Sequence, residues 1–272
     1  MQRVRVGLAL SGGGTKGIAH LGALKYFEEQ GIEFDVVAGT SAGSIVGALH
    51  CAGMSAEEIL DGFFNLSLTS LKVFGQGGVL NTERLEPIVQ ELFSKVDFSN
   101  QFSGFEKDLY VVATDMMKGE EVVFSKATDH VKVSKAILAS ASFPMVLAPM
   151  RFENTVFSDG GIMNHFPVDV ISHKCDFLVG VYVSPHTIMT ENQLRFPPSI
   201  SLRALMLKGI ASEKKKMRDC DIAICPEGLE QFSTFTINPS SIKKIFDLGY
   251  EAAKCKSSEV DELKLKLGLS HD

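Results

Sequence analysis

Tryptophan is absent from this 272-residue sequence, and tyrosine occurs only four times. No apolar run approaches the roughly 18 residues that cross a bilayer as a helix, so no membrane-spanning helix is expected. The short run Val6 to Leu10, between Arg5 and Ser11, is too brief for the core of a secretory signal and reads as a strand. Five cysteines (Cys51, Cys175, Cys220, Cys225, Cys255) form an odd, scattered set without a Cys-x-x-Cys pair. That excludes a disulfide framework and a zinc ribbon and indicates a reducing, cytoplasmic setting, with a peripheral position at a membrane left open. Excess basic charge is missing too: 27 Lys and Arg against 33 Asp and Glu leave a formal charge of −6. This is the wrong sign for a chain that neutralises many phosphates, so no nucleic-acid partner is expected. Internal repeats, low-complexity tracts and long linkers are also lacking, which favours one domain over residues 1–272. What is present is ordinary globular material, 45% hydrophobic and 22% charged, enough for a full core.

The opening of the chain reads as strand, tight turn, helix, strand, turn, helix. Val4 to Leu10 is β-rich and ends in Ser11 and three glycines, Ile18 to Gln30 carries apolar residues at helical spacing, and Gly31 stops that helix. Phe34 to Ala38 is a second apolar run, followed by a helix of small residues from Ser44 to Cys51. Such a β-α-β-α beginning implies a parallel sheet covered by helices. Residues 57–105 are mostly helical in pattern, broken at Gly75 to Gly78. Leu109 to Thr114 and Glu121 to Phe124 suggest a hairpin turning at Lys118-Gly119; Val131 to Ser140 suggests a helix and Thr155 to Ser158 a short strand. Phe177 to Val183 is apolar throughout, as in a strand buried on both faces, and Asp221 to Cys225 reads as another. Ile200 to Met217 and Ser241 to Lys256 each read as one amphipathic helix.

Three motifs carry chemistry. Gly12-Gly13-Gly14-Thr15-Lys16-Gly17 matches Gly-x-Gly-x-x-Gly, yet the second strand ends in Thr40 and Ser41 where a dinucleotide site wants an acid. The spacing to Lys16 also rules out a Walker loop. A row of backbone N–H groups at a helix start, suited to negative charge, remains beside the plainer view of a tight turn. Gly39-Thr40-Ser41-Ala42-Gly43 is a Gly-x-Ser-x-Gly sequence between strand and helix, the setting of a nucleophile elbow, although a serine there can also serve only as a helix cap. Asp159 precedes Gly160-Gly161 at the end of a strand and can aim a carboxylate inward, or merely form an Asp-Gly turn. His165, six residues on, allows a Ser, Asp, His triad, against the usual placement of such a histidine on a separate late loop. The remaining histidines show no metal-ligand spacing, and no calcium loop is visible, so neither metal nor cofactor is expected.

Taken together in this order, the three motifs resemble those of the patatin-like phospholipases, serine lipid acyl hydrolases that use a Ser/Asp dyad. Further likeness runs through Ala113-Thr114-Asp115, Ala139 to Pro144, and Asn164 with Pro167-Val168, so the resemblance covers about residues 5 to 185. Lys16 departs from the arginine of many relatives, keeping the charge without the planar fork. The resemblance implies an α/β fold, a three-layer α/β/α sandwich with a central, mainly parallel sheet. It makes Ser41 the nucleophile and Asp159 its base, with an oxyanion hole from the N–H groups of Gly12, Gly13 and Gly14. Gly17, Gly39, Gly43, Gly160 and Gly161 complete the motifs. The implied activity is cleavage of fatty-acyl esters of phospholipids or lysophospholipids at a membrane or micelle surface, without cofactor. The alternatives are an acyltransferase using the same acyl-enzyme and a non-catalytic lipid- or nucleotide-binding module. The apolar segment Phe63 to Phe74, running on to Gly78, suits a lid or acyl-chain wall, though ordinary helix core and loop is the simpler account. Lys214-Lys215-Lys216 with Arg218 reads first as a solvated helix face and second as a contact for anionic lipid. Oligomeric state is left open, a homo-oligomer included.

Overall fold

Alternation along the strands decides how the layers assemble. Val6, Leu8 and Leu10 of β1 (Val6–Leu10) enter the larger core, whereas Ala9 enters a smaller one; Phe177, Val179 and Val181 of β7 (Phe177–Val181) likewise oppose Leu178. Strands covered on both faces must be apolar at every position, which is why these runs show no polar alternation. The computed structural model describes residues 3–64, 81–144, 146–186, 188–234 and 239–269. The other strands are β2 (Val36–Thr40), β3 (Asp108–Asp115), β4 (Glu120–Phe124), β5 (Met150–Phe152), β6 (Thr155–Asp159) and β8 (Ile222–Ile224). The helices are α1 (Ile18–Glu29), α2 (Ala42–Cys51), α3 (56–64), α4 (Glu86–Leu92), α5 (Val133–Ala141), α6 (Val168–Ile171), α7 (Pro197–Lys208), α8 (Ile210–Arg218), α9 (Pro239–Lys254) and α10 (Ser257–Leu267).

The sheet order is β5-β6-β3-β2-β1-β7-β8, with β4 added to β3. β3, β2, β1, β7 and β8 pair in parallel, while β4, β5 and β6 are antiparallel additions, so the sheet is mainly parallel. The larger core holds residues of α1, α2, α5, α9 and α10 on one face; α6 and the end of α8 cover the other. The expected three-layer sandwich is therefore the observed one. Its thin face uses small residues so that the cover can approach: a Cβ on Gly180 would stand 2.6 Å from Cys220 Sγ and 2.7 Å from the Phe166 ring.

The register of β3 brings two chain ends together. β4 pairs with Val111 to Asp115, overlapping both the stretch paired with β2 (Asp108 to Val112) and that paired with β6 (Ala113 to Asp115). A strand has two edges, so β2 and β6 must share the edge opposite β4. They run in opposite directions along it, and their carboxyl ends meet where Thr40 lies opposite Val112 and Asp159 opposite Ala113.

Several expectations need correction. Within 57–105 the described helices are only 56–64 and α4; residues 93–105 are mostly irregular, filled by the stacked rings of Phe93, Phe98 and Phe105. The single helix expected over 200–217 is two, divided at Gly209, where a Cβ would crowd the Glu213 carboxylate at 2.6 Å. Glu213 turns inward to accept the Tyr182 hydroxyl and is buried. Lys216 is likewise no solvated charge: its ammonium reaches Asn164 and Asp169, each at 2.6 Å. β5 is too short to announce itself, and α10, with Val260, Leu263 and Leu267 at helical spacing, was not expected. Of the expected lid, Phe63 and Phe64 pack against the core, and residues 65–78 lie outside the described residues.

Two glycines set the closest helix contact. A Cβ on Gly22 of α1 would sit 2.0 Å from the Phe246 carbonyl oxygen, and one on Gly249 of α9 1.9 Å from that of Ala19. Backbone cannot yield as a side chain can, so Gly249→Ala must push α9 off α1. We expect a loss of about 1–3 kcal/mol from this overpacking, read as a lowered thermal midpoint; an unchanged midpoint would mean that the helices separate freely.

Candidate active site

Ser41 occupies the corner between β2 and α2 with φ 53° and ψ −121°, a left-handed conformation unusual for a residue with a side chain. Such backbone costs on the order of 1–3 kcal/mol and persists only where its surroundings impose it. Here the flanking glycines allow the corner: a Cβ on Gly39 would meet the Gly43 carbonyl oxygen at 2.4 Å, and one on Gly43 that of Leu10 at 2.3 Å. The Ser41 N–H donates to the buried Ser140 hydroxyl at 2.8 Å, and the Ser41 carbonyl accepts from the N–H and hydroxyl of Ser44 at 2.9 and 2.7 Å. The side chain is thereby raised, half-buried, at the carboxyl end of the sheet.

Asp159 ends β6 directly across from this corner and is 1% exposed. Its N–H donates to the Ser142 carbonyl at 3.0 Å, and its own carbonyl accepts the Thr114 hydroxyl at 2.9 Å. One carboxylate oxygen, Oδ1, takes the Gly161 N–H at 2.7 Å; the other, Oδ2, is buried without a hydrogen bond of ordinary geometry. Burial pushes the carboxyl pKa up to about 6, only partly opposed by the nearby Ser41 hydroxyl and the Gly161 N–H. Ser140 and Ser142, at the end of α5, thus hold the two strand ends from the same side. Neither stood out as a support in the sequence.

The glycine loop runs beside this pair. A Cβ on Gly12 would come within 3.4 Å of the Ser41 Cβ, and one on Gly17 would meet the Ala42 Cβ at 2.6 Å. Gly14 has φ +56°, and any side chain there would strike the Thr234 carbonyl oxygen. The expectation of three equal donors needs revision, because the Gly12 N–H is already given to the His165 carbonyl at 3.0 Å. Among the described residues, Gly13 and Gly14 donate to no carbonyl outside their own turn. Gly160 lies too close to the Val112 carbonyl oxygen, 2.2 Å from its would-be Cβ, to carry a side chain.

His165 reaches the site without joining the Ser41–Asp159 pair. Its ring packs over Gly12 and Gly161, its Nε2 is buried without a partner among the described residues, and burial lowers its pKa. The Glu213 carboxylate and the Gly12 backbone oppose that lowering. His20 lies beneath, 2.9 Å from the Ser11 carbonyl oxygen, and burial lowers its pKa to about 4.

The sequence model of the patatin-like phospholipases matches residues 8–171, more than half the chain, and takes in the glycine loop, Ser41 and Asp159. The chain belongs to that family. With it the chain falls among the hydrolases. Its relatives include an uncharacterised protein of Acanthamoeba polyphaga mimivirus, 29% identical over 203 residues (69% of this chain, 68% of that protein). An uncharacterised NTE family protein of Mycobacterium tuberculosis is 30% identical over 177 residues, 62% of this chain and 46% of its own length. A protein of invertebrate iridescent virus 6 described as a probable lipid hydrolase is 27% identical over 179 residues, 60% of this chain and 62% of that one. The chain therefore spans between about half and two thirds of these relatives. Among solved structures, VipD from Legionella pneumophila shares the fold, with a TM-score of 0.54 at 14% identity over 96% of this chain and 67% of that one.

The buried carboxyl has a consequence for stability. Folded Asp159 keeps its proton up to about pH 6, while an unfolded aspartate releases it near 3.8. Its contribution to stability is thus fully present below pH 4 and lost as pH rises through 6. Asp159→Asn, which cannot ionise, should be more stable than the wild type at pH 8 by about 1–3 kcal/mol. Urea unfolding at pH 8 and pH 4 checks this, since the gap should close at the lower pH; the low-pKa histidines act equally in both proteins and cancel.

Proposed function

We propose that this protein is a serine lipid acyl hydrolase in which Ser41 attacks a fatty-acyl ester and Asp159 takes the serine proton. The observation that carries this reading is the strained Ser41 corner facing a buried carboxylate with one unpartnered oxygen. A desolvated carboxylate with a pKa near 6 is a stronger base than a solvated one and is still ionised at neutral pH. As the serine oxygen bonds to the carbonyl carbon, its proton passes to Asp159 and the carbonyl oxygen becomes an oxyanion. The N–H groups of Gly13 and Gly14, and that of Ala42 at the first position of α2, are the donors proposed to hold it, with the helix dipole adding to them. The protonated Asp159 then gives its proton to the departing alcohol, leaving the acyl group on Ser41. Water, deprotonated by the same carboxylate, releases the fatty acid and restores the serine. Family membership and the relative described as a lipid hydrolase support a lipid ester as substrate, and we read residues 1–272 as one catalytic domain.

The test is the acylation burst with a chromogenic ester. Ser41→Ala should abolish it, and Asp159→Asn should lower kcat by about 10³ or more, as loss of a catalytic partner does in serine hydrolases. His165→Ala should retain the burst, because it is the Asp159 carboxylate that the Ser41 hydroxyl approaches. Loss of the burst in His165→Ala with its retention in Asp159→Asn would replace the dyad with a histidine-based mechanism.

The pH profile offers a separate check. In the free enzyme kcat/KM should fall on acidification with a midpoint near 6, where Asp159 becomes protonated. A limb set instead by an imidazole would disappear in His165→Ala.

A further inference from the structure

α7 is an exposed helix as far as its described side chains go. Among its described side chains none is buried, and its main contacts are the turn before it, over 191–194, and α8. Isolated helices of this length are marginal in water and normally owe their stability to an apolar face packed on a core. Several described apolar residues on it or just before it are exposed: Phe196 is 66% exposed, Ile200 50%, Met206 39% and Leu207 44%, and Ile188 upstream is 92% exposed. An apolar surface of this kind on a helix marks a docking site.

Charge identifies the partner. Residues 195–218 hold seven Lys and Arg and one acid, a net +6 within a chain of −6, which leaves −12 on the rest. The acid, Glu213, is turned inward to Tyr182, and Lys216 is paired with Asp169; Arg195, Lys214 and Lys215 are exposed, without an ion-pair partner among the described residues. Basic charge next to outward apolar side chains suits an anionic lipid surface, where methylenes enter the acyl boundary and cations meet phosphates. A two-fold dimer through this face would oppose like charges.

The segment also begins at the site. Beyond β7, the Val183 N–H donates to the Ser11 hydroxyl at 2.9 Å and the Ser184 hydroxyl to the Gly12 carbonyl at 3.0 Å, and the chain then leads to α7. We propose that α7, with the exposed cations of α8, is the surface by which this protein docks on anionic membranes, placing the Ser41 rim against the lipid. The proposal rests on the lipid-ester reading above and names the face that meets the substrate's phase.

Vesicle flotation tests it, using phosphatidylcholine alone or mixed with phosphatidylglycerol, and Ser41→Ala protein so that turnover does not alter the lipid. Flotation with the mixed vesicles, weakened by salt, is expected. In that background Phe196→Ser, Ile200→Ser, Met206→Ser and Leu207→Ser combined should lower partitioning at least tenfold. Arg195→Gln, Lys214→Gln and Lys215→Gln combined should lower it about a hundredfold, roughly fivefold per charge. With Ser41 intact, both sets should keep wild-type circular dichroism and hydrolysis of a soluble short-chain ester. Absence of flotation, or flotation unchanged by both sets, would overturn the proposal, as would a dimer in sedimentation that only the serine set dissociates, since a second copy would then own the face. A protein that floats through α7 yet hydrolyses no ester would sink the lipid-hydrolase reading alone.

Discussion

The site depends on one edge of β3 serving two strands. Parallel β2 pairs with its first half and antiparallel β6 with its second, so two strands remote in sequence end against each other at Val112 and Ala113. Their last residues open onto Ser41 on one side and provide Asp159 on the other. The end of α5 closes this junction, with Ser140 receiving the Ser41 N–H and the Ser142 carbonyl receiving that of Asp159. Because all these partners are backbone groups or short buried hydroxyls, the distance between the two functional groups is set by main chain rather than by flexible side chains.

The same junction carries the least favourable features of the molecule. A positive φ at a non-glycine residue and an unpartnered carboxylate oxygen in an apolar setting both work against folding. They are tolerated because the parallel strands and their helices surround them with a core that cannot rearrange locally. In the proposed mechanism this tension is useful, since water would stabilise the ionised carboxylate and weaken it as a base.

Much of the fold was legible before any coordinates. The apolar run from Phe177 to Val183 announced a strand buried on both faces, the β-rich stretch Val4 to Leu10 a first strand, and the Gly-x-Ser-x-Gly sequence between a strand and a small-residue helix the corner. Irregular structure was harder. Phe98 and Phe105, seven apart, fall at helical spacing although they stack outside any α-helix, and the inward turn of Glu213 depends on Tyr182, a partner thirty-one residues away.

The residue types of the site were written in the sequence by local necessity: a serine in a sharp corner needs glycines beside it, and an aspartate before two glycines can turn its carboxylate inward. Which donors remain free was not written there. Gly12, Gly13 and Gly14 are equivalent as letters, and only the return of the chain past β6 gives the Gly12 N–H to the His165 carbonyl. His165 stood in the sequence as an alternative base, and only the fold shows that it is buried beside the glycine loop. Short-range geometry follows from residue type because backbone sterics act within a few residues. Partnership across 118 residues, as between Ser41 and Asp159, arises from strand register, which is decided only when the whole sheet packs.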